Sequence, residues 1–235
     1  MNDQKVAESL MTFARYLSWA DLLRAEHDVA LRKPNQSGAA DPVWGSEFAW
    51  MSYWYSSLFV VIEAYESIGM TDPVIDALLA HPGDYRGLLK RYRNGIFHYQ
   101  ADLIDSRLLN LLDRGEEHVL WVYSLHEEFN RLLRAWITSY AISEHLRAET
   151  ESVLKRLVGW LPDDAEIREF DHTVERLRGL VERDPPPGLE PQHSEIRENL
   201  IEAHALRRNC VEQRDRLRRE RLRRLGITLL DHVGN

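Results

Sequence analysis

The sequence predicts an all-α protein, an up-and-down helical bundle followed by a C-terminal helical hairpin. Apolar residues recur at spacings of three and four over long segments, which is the period of an α-helix that buries one face. Alternation of apolar and polar residues, the period of a half-buried strand, never persists, and Leu, Ala, Glu and Arg dominate. Glycine and proline lie between the periodic segments and divide the chain into helices of different length.

The composition predicts a soluble protein in a reducing compartment. The chain has 235 residues, 44% hydrophobic and 29% charged, which is ordinary for a globular protein with a sizeable core. Its single cysteine, Cys210, excludes an intrachain disulfide framework and any multi-cysteine zinc or iron–sulfur site. The most apolar run, residues 58–62, is far shorter than the roughly 20 residues that cross a bilayer. We therefore expect a cytoplasmic location and no membrane contact.

Two long helices are predicted first. Residues 3–32 form one and residues 44–68, the most apolar segment, form the other, with a loop over 33–42 between them. Their buried stripes are expected at Val6, Leu10, Phe13, Leu17 and Ala20 in the first helix and at Trp50, Trp54, Leu58, Val61, Ile62 and Tyr65 in the second.

A short helix and a fourth helix follow. Asp72-Pro73 marks the start of the short helix over 74–81. Asp84 has the residue type and position to cap the fourth helix, which leads into residues 88–102.

Beyond this point, a short helical segment over 103–112 breaks at Gly115, and a long helical pattern runs from 116 to about 160 before Pro162 ends it. The apolar stripe of the long pattern is Trp121, Leu125, Phe129, Leu132, Trp136 and Tyr140.

The C-terminal region predicts a separate hairpin. Residues 163–183 are helical by period, residues 184–192 form a proline-rich linker, and Ser194 caps a last helix. Two helices joined in this way form an antiparallel hairpin or a coiled-coil arm. The predicted domains are therefore a bundle over 1–160 and the hairpin over 161–235.

Charge is distributed unevenly along the chain. The net charge of −8 argues against a surface that coats nucleic acid generally, since phosphate affinity comes from cations. The segment over residues 207–224 of the last helix is the exception, because nine arginines oppose three acidic residues in it. Such a segment is consistent with RNA binding, with a solvated arm or with an acidic partner. The arginines are Arg207, Arg208, Arg214, Arg216, Arg218, Arg219, Arg221, Arg223 and Arg224.

One segment suggests chemistry, residues 88–102, LLKRYRNGIFHYQAD. In it, four residues separate Arg93 from His98, and Asn94 follows the arginine. The spacing alone is weak evidence, because 26 arginines and 10 histidines in 235 residues produce about one such pair by chance. The specificity has to come from the surrounding residues.

Those surroundings resemble a known group. The segment Arg93-Asn94-Gly95-Ile96-Phe97-His98 resembles the signature of the HEPN superfamily, in which a polar residue, often asparagine, follows the arginine and a histidine stands five places after it. The order of two long helices, a short one and a helix leading into the motif is similar too, so the resemblance covers roughly residues 3–145 and implies a HEPN-like bundle. Some HEPN toxins carry a tyrosine, as a modification site, two residues after the histidine; here that position is Gln100.

The resemblance implies a metal-independent endoribonuclease, in a toxin–antitoxin or antiviral defence setting. Cutting RNA without a metal requires a base for the 2′-hydroxyl proton and a cation for the phosphorane charge. His98 has the chemistry of the acid or base, Arg93 that of the phosphate-binding cation, and Asn94 that of a positioning group. The expected products carry a 2′,3′-cyclic phosphate and a 5′-hydroxyl.

The geometry of the motif leads to a prediction about assembly. Five residues turn an ideal helix by about 140°, so Arg93 and His98 would not share a face. Either Gly95 relaxes the local helix, or two chains present the motif across a symmetry axis, as HEPN dimers do. We therefore expect a homodimer with RNA as substrate, and an antitoxin or defence-system protein as a further partner.

Three other residues are candidate substrate contacts. Tyr99 and Tyr92 could stack on bases, although core packing is the commoner role of such tyrosines. Glu63, on the second helix, could line the cleft, bind Arg93 as a buried pair or simply be exposed.

The motif is also consistent with a protein that is not an enzyme. His98 could cap the core end of a helix, and Arg93 could pair with Asp102 or Asp84. The chain would then be a non-catalytic HEPN-type module that binds RNA or a partner protein.

No metal or other cofactor is predicted. The chain has no His-Glu-x-x-His helix, phosphate loop or glycine-rich dinucleotide fingerprint. Glu169-x-x-His172 has the spacing of a di-iron ligand pair, but such a bundle needs two helical pairs and two further glutamates.

Overall fold

A computed structural model describes residues 3–32, 45–102, 105–139, 173–174, 176–181 and 190–229. These residues are helical apart from short connections, and they contain no strand, which confirms the all-α prediction. Within these ranges, no helix combines the length and apolar character that crossing a membrane requires.

The helices are α1 (Asp3–Arg32), α2 (Ser46–Ile68), α3 (Pro73–Leu79), α4 (Tyr85–Phe97), α5 (Ser106–Leu112), α6 (Glu116–Ser139) and α7 (Glu190–Arg224). Residues 173–174 and 176–181 are helical as well.

The helix boundaries in the bundle follow the predicted ones closely. The bounds of α1 are those predicted, α2 begins two residues late, and α3 is shifted toward the N-terminus by one or two residues. The predicted loop over 33–42, the continuation of α6 toward residue 160 and most of the helix over 163–183 lie outside the described residues, as does the pairing of the C-terminal hairpin.

The observed last helix overlaps the predicted linker. Helix α7 begins at Glu190, four residues before Ser194, so the linker prediction over 184–192 is wrong at its C-terminal end. Pro191 falls in the first turn, where a missing N–H costs no intrahelical hydrogen bond.

The chain divides into two compact units with a boundary near residue 161. One unit consists of Met1–Leu161 together with Leu222–Asn235, and the other is Pro162–Arg221. The end of the chain therefore belongs with the bundle rather than with the hairpin to which we assigned it. The reason is apolar burial, because Leu222 and Leu225 pack into the hydrophobic core of the first unit.

The core of the first unit forms where α1, α2 and α6 meet. Helix α1 packs mainly against α2, and α2 in turn packs against α4. Every residue of the predicted α1 stripe is buried, and Trp50 is the one member of the α2 stripe that is only half-buried. The largest fully buried side chains are Trp54, Trp121, Tyr55, Tyr85, Tyr92, Phe13, Phe59 and Phe129.

A buried polar cluster joins these three helices. Asp21 of α1 accepts hydrogen bonds from Nε2 of His126 and, at 3.0 Å, from Nδ2 of Asn130, both on α6. Trp54 of α2 donates from Nε1 to Nδ1 of His126 at 3.0 Å. Because Nδ1 accepts this bond, it carries no proton, so His126 is the neutral tautomer that is protonated at Nε2.

Replacing Asp21 with alanine tests this cluster. The change leaves two buried donors without an acceptor, so we expect the free energy of unfolding to fall by about 3 kcal/mol. Asp102→Ala, at an exposed position, is the control and should change it by less than about 0.5 kcal/mol. Urea unfolding of the two variants checks this, and equal midpoints would contradict the role assigned to Asp21.

Candidate functional site

Helix α4 carries the motif and is anchored to α2. Tyr92 is fully buried, and its hydroxyl shares a hydrogen bond of 2.8 Å with Ser52 of α2. Asp84 occupies the N-cap position but has a left-handed backbone (φ 53°), and its side chain makes no capping bond. The prediction that it caps α4 is therefore wrong, and its carboxylate pairs with Arg91 at 3.1 Å instead.

The helix ends between the two halves of the motif. Helix α4 extends through Phe97, and His98 adopts an extended backbone with φ −117° and ψ 136°. The ideal-helix angle between Arg93 and His98 therefore does not apply. Gly95 does not relax the helix, contrary to one of our expectations, because α4 is continuous through it. A Cβ there would lie 3.0 Å from Cδ2 of Leu108, so the glycine permits the close approach of α5.

Arg93 is held by α2. Its Nη1 lies 3.3 Å from Oε1 of Glu63, and its guanidinium carbon lies 5.7 Å from the centroid of the Phe59 ring. The two charged side chains are 31% and 46% exposed, so the pair is partly solvated rather than buried. The alternatives that paired Arg93 with Asp102 or Asp84 are wrong.

His98 and Asn94 are in contact with solvent. His98 is exposed and Asn94 is half-buried; His98 occupies the C-cap position of α4, but its side chain lies in solvent rather than in the core. Among the described residues, neither side chain has a hydrogen-bond or ion-pair partner, and no such contact joins His98 to Arg93. The imidazole of His98 is therefore accessible to a ligand.

The turn after His98 is fixed by residues that the sequence reasoning missed. Gln100 donates from Nε2 to the carbonyl oxygen of His98 at 2.5 Å and accepts a bond from Nη2 of Arg107. Asp105 caps α5 through the backbone N–H of Arg107 at 2.7 Å and also binds its guanidinium, which lowers the pKa of Asp105. The signal was an aspartate directly before a helical segment, the usual N-cap residue.

The aromatic candidates separate into two groups. Tyr99 is 95% exposed, and nearby Phe97 is 56% exposed with its ring 6.1 Å from that of Tyr53. Tyr92, by contrast, is in the core. Its assignment as a substrate contact is wrong, because a fully buried ring offers no face to a base.

An open cavity of about 370 Å³ borders His98. His98, Tyr99, Gln100 and Asp102 line its polar side, and Ile96 and Leu108 line its apolar side. The cavity thus offers a histidine, an exposed ring and polar groups to one ligand. In the described ranges, no three His, Cys, Asp or Glu side chains come together as metal ligands would.

A comparison of the chain with protein-family models, curated proteins and solved structures finds no significant match.

Removal of the Tyr92 hydroxyl should lower stability and change its pH dependence. Burial raises the pKa of Tyr92 from 10.0 to about 12, although the bond with Ser52 opposes the shift. The folded state holds the hydroxyl proton of Tyr92 more tightly than the unfolded state does. The contribution of this hydroxyl to the free energy of unfolding is therefore fully present below pH 10 and is lost as pH rises toward 12.

At neutral pH, we expect the free energy of unfolding of Tyr92→Phe to be about 1 kcal/mol lower than that of the wild type, because Ser52 loses its hydrogen-bond partner. Above pH 10 its stability should fall less steeply than that of the wild type. Urea unfolding across this pH range measures both effects. Tyr99→Phe is the matched control, and an equal loss in that variant would contradict the burial argument.

Proposed function

We propose that this chain is a metal-independent endoribonuclease of the HEPN type. The observation that carries the proposal is the exposed imidazole of His98, which has no hydrogen-bond or ion-pair partner among the described residues and borders an open cavity at the end of the helix that presents Arg93. The motif and its order of helices resemble the HEPN signature, and a histidine whose ring a ligand can reach is what general acid–base chemistry requires.

The proposed reaction is a transesterification within the RNA strand. Neutral His98 accepts the proton of a 2′-hydroxyl, and the 2′-oxygen forms a bond to the adjacent phosphorus. The bond from phosphorus to the 5′-oxygen breaks, and that oxygen takes up a proton from water, while protonated His98 returns its proton to solvent. The products are a 2′,3′-cyclic phosphate and a 5′-hydroxyl. Arg93 stabilises the added negative charge on the phosphorane, and Asn94 orients the phosphate.

Glu63 competes with the phosphate for Arg93. Its carboxylate occupies one edge of the guanidinium, at 3.3 Å, so a phosphate must share or displace it. A partly exposed ion pair stabilises the fold by at most about 1 kcal/mol, which a bidentate phosphate contact offsets. Glu63 therefore acts as a positioning residue that holds the arginine ready beside Phe59.

The exposed aromatic residues serve two parts of the proposal. Tyr99 offers its ring for stacking on an unpaired base next to the cut bond. Phe97 and Tyr53 form an exposed aromatic pair that suits contact with a second copy of the chain. A homodimer would bring two motifs to one cleft, as in HEPN proteins, and a toxin–antitoxin or antiviral system is the proposed setting.

Cleavage of RNA in EDTA by the wild type and by His98→Ala tests the proposal. We expect the wild type to cut RNA in EDTA and to leave cyclic phosphate ends. His98→Ala should be slower by a factor of about 10² to 10⁴, because it lacks the acid–base group. His204→Ala is the control, since His204 lies on α7, away from the motif in sequence, and should retain full activity.

Two outcomes would count against the nuclease. If neither protein cuts structured or unstructured RNA, the non-catalytic module is favoured. If both cut equally, the activity belongs to another site or to a contaminant.

Substitutions of Arg93 and Glu63 should have opposite effects on RNA, the first slowing its cleavage and the second strengthening its binding. Arg93→Ala should slow cleavage by about 10² to 10³-fold, because the phosphorane loses its cation. Glu63→Gln should strengthen RNA binding by up to about fivefold, the equivalent of about 1 kcal/mol. Single-turnover cleavage and a binding titration measure the two effects. Weaker binding by Glu63→Gln would show that the carboxylate contacts RNA rather than competing with it.

A second candidate function has its own supporting observation. Because Arg93 is occupied by Glu63, the motif also suits a non-catalytic module that binds RNA or a partner protein through the exposed residues around Tyr99. Retention of RNA or partner binding by His98→Ala, together with no cleavage by the wild type, would support this function.

A further inference from the structure

A second surface of interest lies on α7. Arg208, Arg216 and Arg219 are all exposed and belong to the compact unit Pro162–Arg221. At about 100° per residue they lie within an arc of about 80° on one side of the helix, over roughly 17 Å of its length. We call these three arginines the basic face.

Among the described residues, no side chain pairs with the arginines of the basic face. Within the part of the chain that the structure describes, its three guanidinium groups make no ion pair or hydrogen bond, whereas Arg214 pairs with Asp215 at 3.7 Å. Glu212 is the acidic side chain that shares the arc, so the face keeps a net positive charge.

The composition of the face favours a phosphate ligand. Between its first and last arginine, the arc contains Arg and Glu side chains and no aromatic or aliphatic one. Protein interfaces normally centre on apolar or aromatic anchors, which this arc lacks. Arginine binds phosphate through two parallel hydrogen bonds, and a row of arginines along one helix face suits a chain of phosphates.

We propose that the basic face binds the phosphate backbone of single-stranded RNA without reading its bases. This inference rests on the proposed function, because it adds a second set of residues, on α7, that binds the RNA substrate. Binding through charge alone predicts a strong dependence on salt and little dependence on sequence.

Fluorescence anisotropy with a short labelled RNA of mixed sequence tests this in the full-length chain. All proteins carry His98→Ala, so that RNA stays intact. We expect the triple variant Arg208→Gln, Arg216→Gln, Arg219→Gln to bind at least about tenfold more weakly. The slope of log affinity against log salt should decrease by about 2, since each single-strand phosphate contact contributes about 0.7.

The matched control removes the same charge elsewhere. Arg15, Arg32 and Arg114 are exposed residues outside α7, and changing all three to Gln should leave affinity within about twofold. Glu212→Gln should strengthen binding, because it removes the negative charge from the basic face. Circular dichroism confirms that each variant remains helical.

Three results would overturn the inference: equal affinity of the triple variant and its parent, an equal loss in the control, or tighter binding of polyglutamate than of RNA. The last would assign the face to an acidic protein. A separate cleavage assay with chains that retain His98 distinguishes failure of this inference from failure of the proposed nuclease. RNA that is bound through the basic face but never cut contradicts the nuclease alone.

Discussion

The arrangement of the bundle depends on one buried carboxylate. Asp21 is fully buried, and the hydrogen bonds that His126 and Asn130 donate to its Oδ1 offset part of the cost of burying it. Trp54 fixes the tautomer of His126, which makes the geometry of α1, α2 and α6 mutually dependent. Once α2 is set in this way, Ser52 and Glu63 on it determine where α4 and its arginine lie.

The candidate site combines a rigid half and a solvated half. Tyr92 and the packing of Gly95 against Leu108 hold α4 between α2 and α5, so Arg93 projects from a fixed helix. His98 stands just beyond that helix, where its backbone is held by Gln100 while its ring stays in solvent. A site of this kind positions the acid–base group through its backbone and leaves the imidazole accessible to a ligand, which suits the proposed chemistry.

Periodicity predicted the helices of the bundle well, because burial of one face imposes a three-four repeat that any observer of the sequence can find. Periodicity did not predict the local features that depart from a regular helix or depend on neighbouring elements. The end of α4 at His98, the use of Gly95 for packing and the exposed setting of Tyr99 all depend on where α5 lies, which is a tertiary contact. Tyr92 has the same residue type as Tyr99, and only the fold separates their roles.

The polar cluster in the core also constrains which sequences this fold can accept. A single change at Asp21 or His126 leaves a buried donor unpaired, whereas changing the partners together to apolar side chains of similar volume can be nearly neutral. These positions, with Trp54, are therefore expected to vary together among related chains rather than independently. Their sequence separation, from α1 to α6, makes such covariation a long-range marker of the bundle that would persist after the surface motif had diverged.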